Sequence, residues 1–186
     1  LVNALNGKVL ASFIGHEEEV LTAKFSIEDK GKHIVSVSAD KTIRVWSPIT
    51  QDCVTKIKSF GHGSKKLFHE KQILCFALHP EIPVVISGDE EGKVYVSQYM
   101  TGEVNGILGQ HTDSCESIAI SATQPVACSA GIDCKINIYD LTNFTQRLTV
   151  TVGQFGGFTK LFWSSFFPNC LVAASTMGDV SVIDPR

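Results

Sequence analysis

The chain has 186 residues, 44% hydrophobic and 19% charged, with a formal net charge of −3 at pH 7. That balance excludes an intrinsically disordered segment and a globally basic nucleic-acid binder. Its longest apolar runs are strand-sized, well short of the roughly 18 residues that a membrane-spanning helix needs.

In chain order, Leu1 to Gly7 reads as the end of a strand and its turn, and Lys8 to Phe13 as the strand that follows. After Gly15-His16 come three strands with apolar alternation or β-branched runs: Val20 to Phe25, His33 to Val37 and Thr42 to Trp46. A further apolar run supplies a fourth. This unit recurs. The position of Trp46 is met again at Ser97, Tyr139 and Ile183, spacings of 51, 42 and 44 residues. A period of about 40–45 residues, with four strands in each unit, predicts β-propeller blades. The approximate repeats are 1–51, 52–102, 103–143 and 144–186, in a single domain over 1–186. The last stops at Val182-Ile183-Asp184-Pro185-Arg186, just after a third strand.

Gly15-His16, Asp40 and Val45-Trp46 resemble the marks of the WD-repeat family. The resemblance implies an all-β WD-repeat β-propeller whose blades each carry four antiparallel strands around a channel. About four blades are present, and a chain that starts mid-pattern without an initiator Met is expected to be part of a larger, seven-bladed type of propeller. The resemblance also implies a structural network in which His16, Ser36, Asp40 and Trp46 are linked by hydrogen bonds. A buried imidazole, hydroxyl, carboxylate and indole each need a partner, and one connected chain satisfies all four. The equivalent positions are His62, Ser87, Glu91 and Ser97 in the second copy, and His111, Ser129, Asp133 and Tyr139 in the third. In the fourth they are Gly157, Ala173, Met177 and Ile183. Only the first copy is expected to form the full network. The fourth is expected to rely on apolar packing by Phe158, Leu161, Phe162, Trp163, Phe166 and Phe167.

Chemistry-bearing motifs are scarce. His16-Glu17-Glu18-Glu19-Val20 lacks the second histidine of a zinc-protease helix, and His62, His69 and His79 have no ligand partners at regular spacing, so no metal is expected. There is no phosphate-cradling Gly-rich loop and no nucleophile elbow. The reading is no enzyme and no cofactor. Asp89-Glu90-Glu91-Gly92 falls in a solvated turn. Cys53, Cys75, Cys115, Cys128, Cys134 and Cys170 form no CxxC pair and read as reduced, packed thiols, which predicts a cytoplasmic location, with the nucleus as the alternative.

The same family likeness places the loop before each blade and its second-to-third strand turn on one face. That face collects Glu17, Glu18, Glu19, Asp89, Glu90, Glu91 and Asp113, with Asp40, Glu70, Asp133 and Asp179 nearby. An acidic rim of this kind predicts a basic protein or peptide as partner, with no direct nucleic acid and no membrane. The second copy has five extra residues between His62 and Phe76. In that basic insertion Lys65, Lys66, Leu67 and Phe68 are a second candidate partner-binding group, although Leu67 and Phe68 equally fit a tuck against the neighbouring blade.

Lys93-Val94-Tyr95-Val96-Ser97, Ile136-Asn137-Ile138-Tyr139-Asp140 and Thr159-Lys160-Leu161-Phe162-Trp163 are similar to segments of the branch that holds the angio-associated migratory cell protein. That likeness implies a chaperone role, in which an acidic face holds a basic segment of a large-subunit ribosomal protein. The broader expectation is a non-catalytic protein-interaction scaffold.

Overall fold

The computed structural model describes residues 1–59, 68–151, 156–164, 166–167 and 169–184. Fifteen strands make four antiparallel sheets, with no helix among the described residues. The first sheet holds β1 (Val20–Phe25), β2 (Ile34–Ser38), β3 (Ile43–Trp46) and β4 (Cys53–Ile57), in that order. The second holds β5 (Ile73–Leu78), β6 (Val84–Asp89), β7 (Lys93–Gln98) and β8 (Glu103–Gln110). β9 (Cys115–Ile120), β10 (Val126–Gly131), β11 (Lys135–Asp140) and β12 (Thr145–Thr151) make the third. The fourth has three strands, β13 (Phe158–Trp163), β14 (Leu171–Ser175) and β15 (Val180–Ile183).

The turn between second and third strands is the same in all four blades. One residue at the same offset takes positive φ: Lys41 (63°), Gly92 (81°), Cys134 (62°) and Gly178 (88°). Lys41 and Cys134 show that the angle alone does not demand glycine, but at Gly92 a Cβ would lie 2.3 Å from the Asp113 carbonyl oxygen. That oxygen belongs to the next blade, so the turn is pressed against its neighbour.

The core lies between sheets. Alternation puts one face of each sheet against the following blade, since residues two apart point the same way. Cross-strand rows show this directly: Val35 and Val45 in the first blade, Ile86 and Val96 in the second, Cys128 and Ile138 in the third. All six are buried. Each row packs on the opposite face of the next blade, the first on Phe76, Leu78, Val85 and Tyr95. The second meets Ile118, Ala127 and Tyr139, and the third Leu161, Leu171 and Ala173.

Two expectations need correction. Residues 8–13 belong to no sheet, and the only pairing there is an isolated bridge between Val2 and Val9. Phe13 instead lies against Trp46, ring centroids 5.9 Å apart. In the fourth blade, Phe158 and Leu161 are buried, but Phe162, Phe166 and Phe167 are exposed. Strand alternation explains Phe162. Facing away from the third blade, it shares a row with Val172 and Val182 that no described element covers.

Candidate functional site

Beneath the rim, three histidines tie the loop before a blade to that blade's turn. In the first, His16 Nδ1 is 2.8 Å from Asp40 Oδ2 and Nε2 is 2.7 Å from Ser36 Oγ, while the Trp46 indole donates to the same Ser36 oxygen at 2.8 Å. The indole N–H donates to serine and Nδ1–H to the carboxylate, so one connected chain links all four side chains. Burial works against charge on Asp40, but hydrogen bonds from Thr42, His16 and the Glu17 amide hold its carboxyl well below the usual carboxylate range.

The third blade repeats the chain in full. His111 sits 2.9 Å from Asp133 Oδ1 and 2.7 Å from Ser129 Oγ, which the Tyr139 phenol meets at 2.8 Å. The expectation that only the first copy completes the network is therefore corrected, because a phenol O–H reaches serine as an indole N–H does. Burial drives the Tyr139 pKa upward, keeping that donor protonated. Asp133, opposed by burial, is lowered by the Thr112 amide and His111.

In the second blade the network uses other residues. His69 Nδ1 lies 2.7 Å from Asp89 Oδ2, and Nε2 lies 2.8 Å from Ser87 Oγ. The expected histidine, His62, lies outside the described residues. Asp89 stands two positions before the place held by Asp40 and Asp133 and is fully buried, so it is not a rim residue. Its Oδ1 accepts the Glu91 and Lys93 amides at 3.0 and 2.8 Å, which fixes the turn from within. Burial pushes the His69 pKa down against the pull of Asp89, so this imidazole is neutral.

Spacing gives the signal that was missed. From histidine to the first-strand residue opposite the network serine is seven positions in every case: His16 to Ala23, His69 to Phe76 and His111 to Ile118. Gly61-His62 imitates the first copy's Gly15-His16 and draws the eye to the wrong residue. The extra length therefore precedes His69. Nine positions separate Gly7 from His16 and Gly102 from His111, but eighteen separate the equivalent Gln51 from His69.

Lys65, Lys66 and Leu67 also lie outside the described residues. Phe68 is buried and is no exposed anchor. Its ring stacks edgewise on His69 at 4.7 Å and meets Tyr95 at 5.6 Å. Tyr95 and His69 are themselves 4.5 Å apart. These aromatics pack around the histidine in the blade whose tryptophan position holds Ser97. The Ser97 hydroxyl is buried with no hydrogen-bond partner among the described residues.

On the rim, Glu17, Glu18, Glu19, Glu90, Glu91 and Asp113 are exposed. Lysines share this surface. Glu17 pairs with Lys56 at 3.2 Å and Arg44 at 3.8 Å, and Glu91 with Lys93 at 3.0 Å. Glu18, Glu19, Glu90 and Asp113 make no ion pair among the described residues. Between the first two blades a cleft of about 420 Å³ carries Glu17 and Glu70 together with Lys41, Lys56 and Lys58. Lys56 and Lys58 stand at the end of β4, a fourth strand that reaches the same rim and that a count of loops and turns leaves out, while Lys41 stands in the β2–β3 turn itself. Among the described residues no cluster of three or more His, Cys, Asp or Glu is placed to hold a metal.

A model described as WD domain, G-beta repeat matches residues 7–47 and 102–140, the first and third units, whose histidine networks are complete. WD repeats are thus found in these two units. An uncharacterized WD repeat-containing protein of Schizosaccharomyces pombe is 28% identical over 144 residues, 76% of this chain and 36% of the relative. The chain thus spans about a third of that relative's length. Among solved structures, the computationally designed Ika4 protein superposes with a TM-score of 0.78 at 23% identity, covering 96% of this chain and 98% of that one. The structure of U3-55K gives 0.81 at 20% identity, covering 92% and 50%. At those identities the likeness is one of fold: a WD-repeat propeller of about four blades.

Proposed function

We propose that this WD-repeat chain is a non-catalytic scaffold that binds a basic segment of a protein partner on its rim. The observation that carries the reading is the exposed set Glu18, Glu19, Glu90 and Asp113, which stands on turns anchored by buried His–Asp pairs. Carboxylates on rigid supports attract a cationic peptide at little ordering cost, and the attraction falls with salt. The mixed charge of the cleft beside Lys41, Lys56 and Lys58 suits a partner in which an acidic residue interrupts the basic run. A cytoplasmic or nuclear location goes with this reading.

Fluorescence anisotropy with a labelled Lys/Arg-rich peptide tests it. Binding is expected to weaken steeply between 50 and 300 mM salt and to fall at least tenfold in a Glu18→Lys, Glu19→Lys, Glu90→Lys variant. Equal affinity in that variant removes the rim as the site.

A narrower reading is a chaperone for a basic segment of a large-subunit ribosomal protein, which the similarity of 93–97, 136–140 and 159–163 favours. A ribosomal-protein peptide is then expected to bind at least tenfold tighter than a scrambled peptide of equal charge. Equal binding discards the narrower reading and leaves the scaffold.

A further inference from the structure

Two thiols from adjacent blades meet under the rim. Cys75 opens the inner part of β5 and Cys115 begins β9, forty positions apart in sequence, with their sulfurs 3.8 Å apart. The Cys75 thiol also donates to the Cys115 carbonyl oxygen at 3.2 Å. Both side chains are buried. Gly88, on β6, makes this approach feasible. A Cβ there would lie 2.5 Å from the Cys115 sulfur and 3.0 Å from the Cys75 sulfur, so the pair occupies the volume that a side chain would fill.

The two sulfurs are not equally accessible. Cys75 lines a cavity of about 220 Å³ bounded by the innermost strands of all four blades, where Lys24 and Lys160 also lie. Cys115 is fully buried behind it. Lys24 donates to the Phe76 carbonyl oxygen at 2.8 Å, which holds its ammonium group beside Cys75 in the sequence of β5. Cys75 is thus the one of the two that borders a cavity able to admit a small polar oxidant, and the Cys115 sulfur is already in contact with its sulfur.

We propose that Cys75 and Cys115 are an oxidative modification site, forming a reversible disulfide that staples the second blade to the third when a hydroperoxide reaches the central cavity. The thiolate of Cys75 attacks one peroxide oxygen. An S–O bond forms, the O–O bond breaks, and for hydrogen peroxide the departing hydroxide takes up the proton that the Cys75 thiol gave up and leaves as water. The hydroxide develops in the cavity that holds the Lys24 and Lys160 ammonium groups. Cys115 sulfur then attacks Cys75 sulfur, the S–S bond forms and the S–O bond breaks. The Cys115 proton leaves with the hydroxyl group as a second water. Two thiols are oxidised and one peroxide is reduced. A dithiol or thiol reductant reverses the change by exchange. The movement required is small, from 3.8 Å between sulfurs to the roughly 2.05 Å of a disulfide. The hydrogen bond with Cys75, and burial after it, raise the Cys115 pKa well above its ordinary value, in keeping with a resolving rather than an attacking thiol.

The test uses the 186-residue chain with Cys53→Ser, because Cys53 is exposed and reacts independently. Folded protein is treated with hydrogen peroxide, remaining thiols are alkylated after denaturation, and peptides are mapped by mass spectrometry without reduction. A Cys75–Cys115 linked peptide is expected, with a Tm higher by roughly 5–15 °C that returns to the starting value with dithiothreitol. In Cys115→Ala, Cys75 is expected to stop at the sulfenic acid and be trapped by dimedone. Recovery of Cys75 and Cys115 as alkylated thiols from oxidised wild-type-like protein overturns the proposal, and so does a disulfide joining either of them to another cysteine.

Discussion

Asp89, not Glu91, receives the Nδ1 proton of His69, across 2.7 Å of fully buried space. Glu91 occupies the position of Asp40 and Asp133 along the turn, yet its carboxylate turns outward to Lys93 and Lys71. One additional carboxylate at the end of β6 has thus moved the network inward by a pair of residues and released the usual acid to the surface.

Exchanging those two acids separates their roles. Asp89→Ala leaves a buried imidazole donor and two turn amides without their acceptor, and is expected to cost about 1–3 kcal/mol or more. Glu91→Ala removes an exposed ion pair and should change stability by less than about 0.5 kcal/mol. Urea denaturation of both variants checks this. Equal costs would place the structural acid at Glu91.

Stability should fall with pH in two stages. The folded pKa of His69 lies below its ordinary 6.5, so the unfolded chain takes up a proton first as the pH drops. Its contribution is complete above 6.5 and is lost as the pH falls toward the folded value. Asp40 and Asp133 are lowered from 3.8, so their contribution is present above that value and is lost on further acidification. Urea midpoints between pH 7.5 and 5 should decline, and His69→Gln should flatten that decline whatever its absolute stability. An unaltered slope in the variant would show that His69 is not the titrating group.

Ser97 offers a stabilising change. Its hydroxyl is buried without a partner among the described residues. Ser97→Ala is expected to be neutral or to stabilise by up to about 1 kcal/mol, since an unpaired buried hydroxyl is removed with little change of shape. Restoring the family's tryptophan with Ser97→Trp should instead destabilise by about 1–3 kcal/mol, because the Phe68, His69 and Tyr95 rings already pack there. Thermal denaturation of the pair decides it, and a stabilising tryptophan would mean that the aromatic cluster leaves room for an indole.

Gly92→Ala combines strain with collision. The residue has φ of 81°, and the new methyl carbon would meet the Asp113 carbonyl oxygen at 2.3 Å. A loss exceeding about 1 kcal/mol is expected. Gly178→Ala is the control, since it holds the same turn position in the fourth blade with a φ of 88° and its Cβ would meet nothing within 4 Å. The difference between the two measures the blade-to-blade contact. Equal losses would leave only backbone strain.

Lys56 tests the screening of the rim. With Lys56→Gln, Glu17 loses its 3.2 Å partner, and affinity for a basic peptide should rise severalfold at low salt. Unchanged affinity would mean that Glu17 takes no part in binding.

Much of this molecule was legible in the chain itself. Strand alternation, the 51-, 42- and 44-residue spacings, and the Gly15-His16, Asp40 and Trp46 marks are local signals, and a backbone whose side chains alternate every two residues converts them directly into antiparallel sheets. The first network followed from residues at corresponding places, and so did the four members of the third, though not that the Tyr139 phenol completes it. The second did not, because Gly61-His62 and Glu91 satisfy a count along the sequence while His69 and Asp89 satisfy the geometry. Which imidazole is buried depends on which one has a serine and a carboxylate facing it across strands. That is a question of register, and an unpaired polar group left in the interior costs too much for the alternative to persist. Tertiary structure alone also turned Phe68 inward, brought Lys56 onto the acidic rim, and set Cys75 against Cys115 over the bare backbone of Gly88. Each of these joins residues from different strands or blades, where no spacing in the sequence records the distance, and close packing of one sheet face on the next decides what can fit.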